Sequence, residues 1–82
     1  MPEIARFYGI VIKLFFGDHV PPHFHAVYGE HVGLFHMDTM EMIEGDLPGR
    51  ARKLVNEWAS MYRLELKEMW EKQEFHHLPP LE

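Results

Sequence analysis

Apolar residues crowd the first part of the chain, and further along they settle into two separate rhythms. From Ile4 to Phe16 both alternating sets are largely apolar: Tyr8, Ile10, Ile12, Leu14 and Phe16 on one side, Phe7, Val11 and Phe15 on the other. A strand written this way is covered on both faces over much of its length, so the stretch predicts one central strand. Gly9 within it marks a bulge or a close backbone approach. Gly17 to Pro22 then reads as a loop, opened by Gly17-Asp18 and closed by Pro21-Pro22. Its prolines hold His19 and His23 on a stiff, extended connection.

Alternation follows. His23 to Tyr28 and His31 to Met37 predict two strands joined by a tight turn at Gly29-Glu30. With a two-residue turn, His23 faces His36, His25 faces Leu34 and Val27 faces Val32. One face of this hairpin then carries His23, His25, Val27, Val32, Leu34 and His36. The other carries Phe24, Ala26, Tyr28, His31, Gly33 and Phe35. The aromatic mass assigns the second face to the core. The three histidines of the first face fall together at the end of the hairpin away from its turn. Asp38-Thr39-Met40 reads as another turn and Glu41 to Glu44 as a short further strand, with Met37, Met40 and Met42 as core filler.

After Pro48 the apolar spacing lengthens to three and four. Ala51, Leu54, Val55, Trp58, Met61, Tyr62, Leu66, Met69 and Gln73 form one helical stripe, with Leu64 off it and Trp70 toward its edge. Asp46 is placed as the N-cap, with Pro48 in the first turn. A single helix from Pro48 to Phe75 would be roughly 40 Å long. That is long for so small a domain, so one long helix competes with two short ones broken between Ala59 and Glu65. His77-Leu78-Pro79-Pro80-Leu81 cannot continue a helix and is expected to be extended. The fold predicted is α+β: a three- or four-stranded antiparallel meander, then one long or two short C-terminal helices packed on one face. Residues 1–76 form a single domain and 77–82 an extended tail.

Composition narrows the chemistry. The 82 residues allow one domain, which buries only about 60% of its unfolded surface, so a partner or a homodimer is a reasonable expectation. Apolar content of 46% excludes disorder. The absence of cysteine excludes disulfides and thiolate metal sites and fits a reducing cytoplasm. The N-terminus lacks the pattern of a signal peptide, and no apolar run is long enough to span a bilayer, so no membrane association is expected. A net charge of −5 argues against loose attachment to nucleic acid, although Arg50, Arg52 and Lys53 form one basic cluster. That cluster reads first as a solvated helix face.

Seven histidines stand out, most of them between His19 and His36. Imidazole is the side chain suited both to proton transfer near neutral pH and to transition-metal binding. Three candidate roles follow. A divalent metal such as zinc could be held by His23, His25 and His36, with Asp18 or His19 closing the site. Metal-free acid–base chemistry on RNA could use His23 or His25 as base, His19 or His25 as acid, Arg6 as phosphate clamp and Tyr8 or Tyr28 to orient the substrate. A binding module could use Trp70 or the Leu78-Pro79-Pro80-Leu81 segment as an anchor, with Trp58 in the core. Against all three stands an ordinary half-exposed sheet face whose histidines bond backbone or water.

Several motifs carry a resemblance. Arg6-Phe7-Tyr8-Gly9-Ile10, Pro21-Pro22-His23-Phe24-His25-Ala26 with Tyr28-Gly29-Glu30, then Glu44-Gly45, Leu47-Pro48 and Glu57-Trp58 occur in this order. Together they resemble a widespread family of small bacterial proteins of unknown function, over about Pro2 to Trp70. The resemblance implies a small α+β protein whose gene often neighbours a second small gene, as in toxin–antitoxin pairs. It implies no activity for any residue. His31 and His36 stand where other members often carry tyrosine and an acid, so a metal site built on His36 would not extend to the family. The expectation drawn is a non-enzymatic binding component of a two-gene module, partnered by the neighbouring small protein. The alternative is a histidine-dependent enzyme, ribonuclease-like or metal-dependent, built on the Pro-Pro-His-Phe-His segment.

Overall fold

The computed structural model describes residues 3–15, 17 and 19–82. Five antiparallel strands form one sheet in chain order: β1 (Glu3–Phe7), β2 (Ile10–Lys13), β3 (His23–Tyr28), β4 (His31–His36) and β5 (Met42–Gly45). Two helices follow, α1 (Gly49–Met61) and α2 (Arg63–Lys72). The α+β meander is as expected; the strand number is not.

The difference lies at Tyr8-Gly9. In place of one central strand, the chain folds back there, and Phe7 pairs with Ile10 across a two-residue turn. Both turn residues have positive φ, +48° at Tyr8 and +79° at Gly9. Such a turn matches the twist of the flanking strands and is normally written Asn-Gly. A tyrosine held in the left-handed region costs about 1–3 kcal/mol. The apolar character of both sets now has a simple origin. Ile4, Ala5, Phe7, Ile10 and Ile12 come from two neighbouring strands and Leu14 follows directly on β2, and all are buried. β1 is accordingly an edge strand. Phe16, the predicted end of this segment, lies outside the described residues.

The β3–β4 hairpin has the predicted register at all six pairs, from His23↔His36 to Tyr28↔His31. Met37 N–H donates to Pro22 O at 3.0 Å and extends the ladder by one pair. Gly29 supplies the positive φ (+61°) that the tight turn requires. At the other edge, β5 crosses close over β4. A Cβ at Gly45 would collide with the Val32 carbonyl, so this position tolerates only glycine.

The core lies between the sheet and α1. Phe24, Ala26 and Phe35 from the hairpin meet Ala51, Val55, Trp58 and Ala59 from the helix, all at most 4% exposed. Trp58 is the centre. Its ring lies 5.5 Å from Phe7, 6.4 Å from Phe24 and 5.5 Å from Tyr62, and its Nε1–H donates to Pro79 O at 2.8 Å. Met37 is fully buried, and Met40 and Met42 pack on the cluster as filler.

The helical stripe breaks at Tyr62 (φ −116°, ψ +24°), inside the expected window. A continuous helix from Gly49 to Lys72 would reach about 36 Å, longer than the molecule's greatest dimension of 31 Å. Asp46 is not the N-cap. The helix starts at Gly49 after an extended Pro48 (φ −57°, ψ 149°), and no side chain caps it. Asp46 instead lies 3.6 Å from His31 Nδ1. The segment after Gln73 forms neither helix nor strand, and it is tied down: Leu78 N–H donates to Ile4 O at 2.7 Å, beside β1. This contact occupies part of an otherwise open sheet edge.

Trp58→Phe retains most of the aromatic packing but removes the donor to Pro79. It is expected to cost about 1–3 kcal/mol, read as a lower urea midpoint at unchanged m-value.

Candidate functional site

One sheet face is covered by the helical layer and the other is not. The open face carries two cross-strand rows. Val11, Val27 and Val32 are partners across β2, β3 and β4, and Lys13, His25, Leu34 and Glu44 form the next row across β2 to β5. Val32 is 42% exposed and Val11, Val27 and Leu34 are half-buried. The histidines stand at one end of this face, where the Gly17–Pro22 loop and α2 meet.

His23 opens β3 directly after Pro21-Pro22, and the Val20–Pro21 peptide is cis. Its side chain is buried (6% exposed), the one buried polar side chain among the described residues. Its Nδ1 lies 2.7 Å from Pro21 O. A carbonyl only accepts, so Nδ1 holds the hydrogen, and Nε2 keeps the lone pair in the neutral ring. Trp70 of α2 covers the ring at 5.2 Å. His25, two residues on and on the same face, lies 5.3 Å from it and meets the edge of Phe15 at 4.6 Å. The two imidazoles are therefore neighbours on an aromatic rim, as the strand period requires.

His36 faces His23 in the ladder, but its chemistry differs. Its Nδ1 accepts from the backbone N–H of Asp38 at 3.0 Å and of Thr39 at 3.4 Å, fixing the turn into β5. The accepting nitrogen carries no hydrogen, so the neutral ring holds it on Nε2. Binding a metal through Nε2 would break both of these bonds. Among the described residues, no group of three or more His, Asp or Glu side chains is placed to hold a metal ion. The expected cage of His23, His25 and His36 is thus not assembled by the described side chains, and Asp18, its expected fourth member, lies outside them.

The remaining candidates are scattered. His19 is exposed on the loop. Arg6 lies on β1, two strands from β3, and grips Glu3 with Nη2–Oε1 at 2.8 Å and Nε–Oε2 at 3.1 Å. That bond holds the Glu3 carboxyl below its ordinary range and raises the Arg6 guanidinium. Tyr8 and Tyr28 sit at the opposite end of the sheet, five residues of strand or about 17 Å from His23. They do not join His23 and His25: the fold-back carries Tyr8 to the far turn, and Tyr28 closes β3 opposite His31.

Three residues that sequence reasoning did not place beside the histidines complete the site: Trp70, expected only as a binding anchor, and Phe15 and Gln73. Gln73 closes α2 in the left-handed region (φ +55°). Its Oε1 accepts from Gly17 N–H at 2.8 Å and its Nε2 donates to Trp70 O at 2.7 Å. One amide thus links the histidine loop to the helix bearing Trp70. Lys67 fixes the same helix to the β4–β5 turn through Asp38 at 2.9 Å, and this hydrogen bond holds the Asp38 carboxyl below 3.8. The depressed folded value means the pair's stabilisation is present above the ordinary aspartate range and is lost as pH falls through the lowered folded value.

Diethyl pyrocarbonate is expected to modify exposed His19 well before His23. Trp70→Ala is expected to bring the His23 rate up toward that of His19 and leave His19 unchanged, measured by peptide mass spectrometry.

Among the described residues, no helix is long and apolar enough to cross a membrane. No curated protein and no solved structure matches the chain. The model of the family described as Domain of unknown function (DUF4160) matches residues 9–71, most of the sheet, all of α1 and nearly all of α2, and the chain belongs to that family.

Proposed function

We propose that the protein is a non-enzymatic binding component of a two-gene, toxin–antitoxin-like module in the cytoplasm, and that its open sheet face receives the small protein encoded beside it. The observation that carries this reading is the apolar row Val11–Val27–Val32, with Leu34 beside it, on the face opposite the α1 core and away from the end that Trp70 of α2 covers. Three strands side by side give a flat apolar stripe about 10 Å wide. It is rimmed by His25, Lys13 and Glu44, an apolar centre with a polar border. A domain this small gains stability by covering such a face. The occupant follows from the gene arrangement that the family resemblance implies.

Val32→Lys points outward from a half-open position, so the variant is expected to fold as the parent does. Co-expressed with the neighbouring gene, it is expected to capture that product at least about tenfold less than the parent, a loss of about 1.4 kcal/mol. Equal capture by parent and variant, or none by the parent, refutes the reading.

A second reading rests on the His23–His25 pair. Adjacent imidazoles, one keeping its Nε2 lone pair, are a proton-transfer couple beside an aromatic rim. Under this reading, toxicity or RNA cleavage on expression is lost in His25→Ala while the circular dichroism spectrum is retained. Activity undiminished by His25→Ala sinks it.

A further inference from the structure

A second site lies at the other end of the sheet, away from His23 and His25. The β1–β2 turn, the end of β3 and the start of α1 enclose a cleft of about 250 Å³. Tyr8 and Tyr28 flank it, Ile10 and Leu54 line it and Arg50 stands at its rim. Tyr8 is 59% exposed and Tyr28 39% exposed.

Tyr8 is the telling residue. It holds a backbone conformation that a bulky L residue rarely adopts, and its ring is mostly in solvent, so packing does not offset the strain. Asparagine or glycine would make the same turn with less strain. A strained position whose side chain lies on a cleft is a mark of a ligand clamp. Tyr28 lines the same cleft, and its ring lies over Gly9, close enough that a Cβ there would meet it at 3.4 Å, an ordinary contact distance. Arg50 carries no ion pair among the described residues and offers its guanidinium to an oxyanion.

We infer that this cleft binds the base and phosphate of a single nucleotide, with the base against Tyr8 and Tyr28 and the phosphate on Arg50. Two exposed aromatic rings over an apolar floor suit a planar heterocycle, and ring stacking is indifferent to which base it meets. The volume falls just below the roughly 300–1,000 Å³ of drug-sized ligand sites, which fits one base with its sugar outside. The net charge of −5 disfavours a long polyanion and favours one phosphate.

The test is an amide chemical-shift titration of the full chain with adenosine monophosphate, adenosine, inorganic phosphate and a short single-stranded RNA. The monophosphate is expected to shift Gly9, Tyr28 and the first turn of α1, and to bind more tightly than adenosine or phosphate. Arg50→Gln is expected to reduce the monophosphate to the affinity of adenosine. Tyr8→Gly is expected to weaken binding at least about tenfold while its thermal midpoint stays at or above that of the parent, since glycine relieves the strained turn. Tighter binding of the RNA at the same amides assigns the nucleotide to an RNA strand and upholds the site; equal or weaker binding assigns it to the free monophosphate. No shift at millimolar monophosphate, shifts confined to other surfaces, or shifts unaltered by both substitutions overturn the inference.

Discussion

Four parts of the chain meet at the Trp58 indole. Phe7 brings the first hairpin, Phe24 the second, Tyr62 the break between the helices, and Pro79 the segment after α2. In a domain this small one aromatic residue supplies a large share of the buried area. Its single polar atom must also find a partner, and it finds one in the carbonyl of Pro79. Burial and hydrogen bonding at this residue together set where α1 lies on the sheet. The helix then runs from the Tyr8 end toward the His23 end, which separates the two candidate sites.

A single helical layer covers one face of a five-stranded sheet. The chain has no second layer to spend on the other face, and this shortage shapes its surface chemistry. Valines, Leu34 and three imidazoles share the uncovered side. Only at the end of that side does α2 reach around, where Trp70 shelters His23 and Gln73 holds the loop. His25 and His36 belong to the same face but serve different ends. One adjoins its buried neighbour, and the other is consumed in shaping a turn.

The second hairpin was legible in the amino acids because alternation and a two-residue turn agreed on one register, and a slip of one position would have buried histidines in place of phenylalanines. Length argued for a helix break between Ala59 and Glu65 but left a single long helix open, and the structure places the break at Tyr62. The first hairpin was not legible, because its turn reads Tyr-Gly where Asn-Gly is the usual signal, and the apolar residues around it suit a central strand equally well. The N-cap at Asp46 failed because the chain stays extended through Pro48. Within the site, the neighbourhood of His23 and His25 followed from strand period. Trp70, Phe15 and Gln73 did not, since their positions depend on how α2 and the loop cross the end of the sheet, and no local pattern encodes that crossing.

The hydrogen bond between Leu78 and Ile4 joins segments separated by nearly the whole length of the chain. Closing so long a loop carries a large entropic penalty, while the main contacts between elements join strands that follow one another in the chain. Assembly should therefore proceed from local ribbons outward, with this clasp formed last. It is also the natural point of first release. A transient opening there would bare the indole edge and the margin of β1 while the rest of the sheet stays zipped, a partial disengagement well short of global melting.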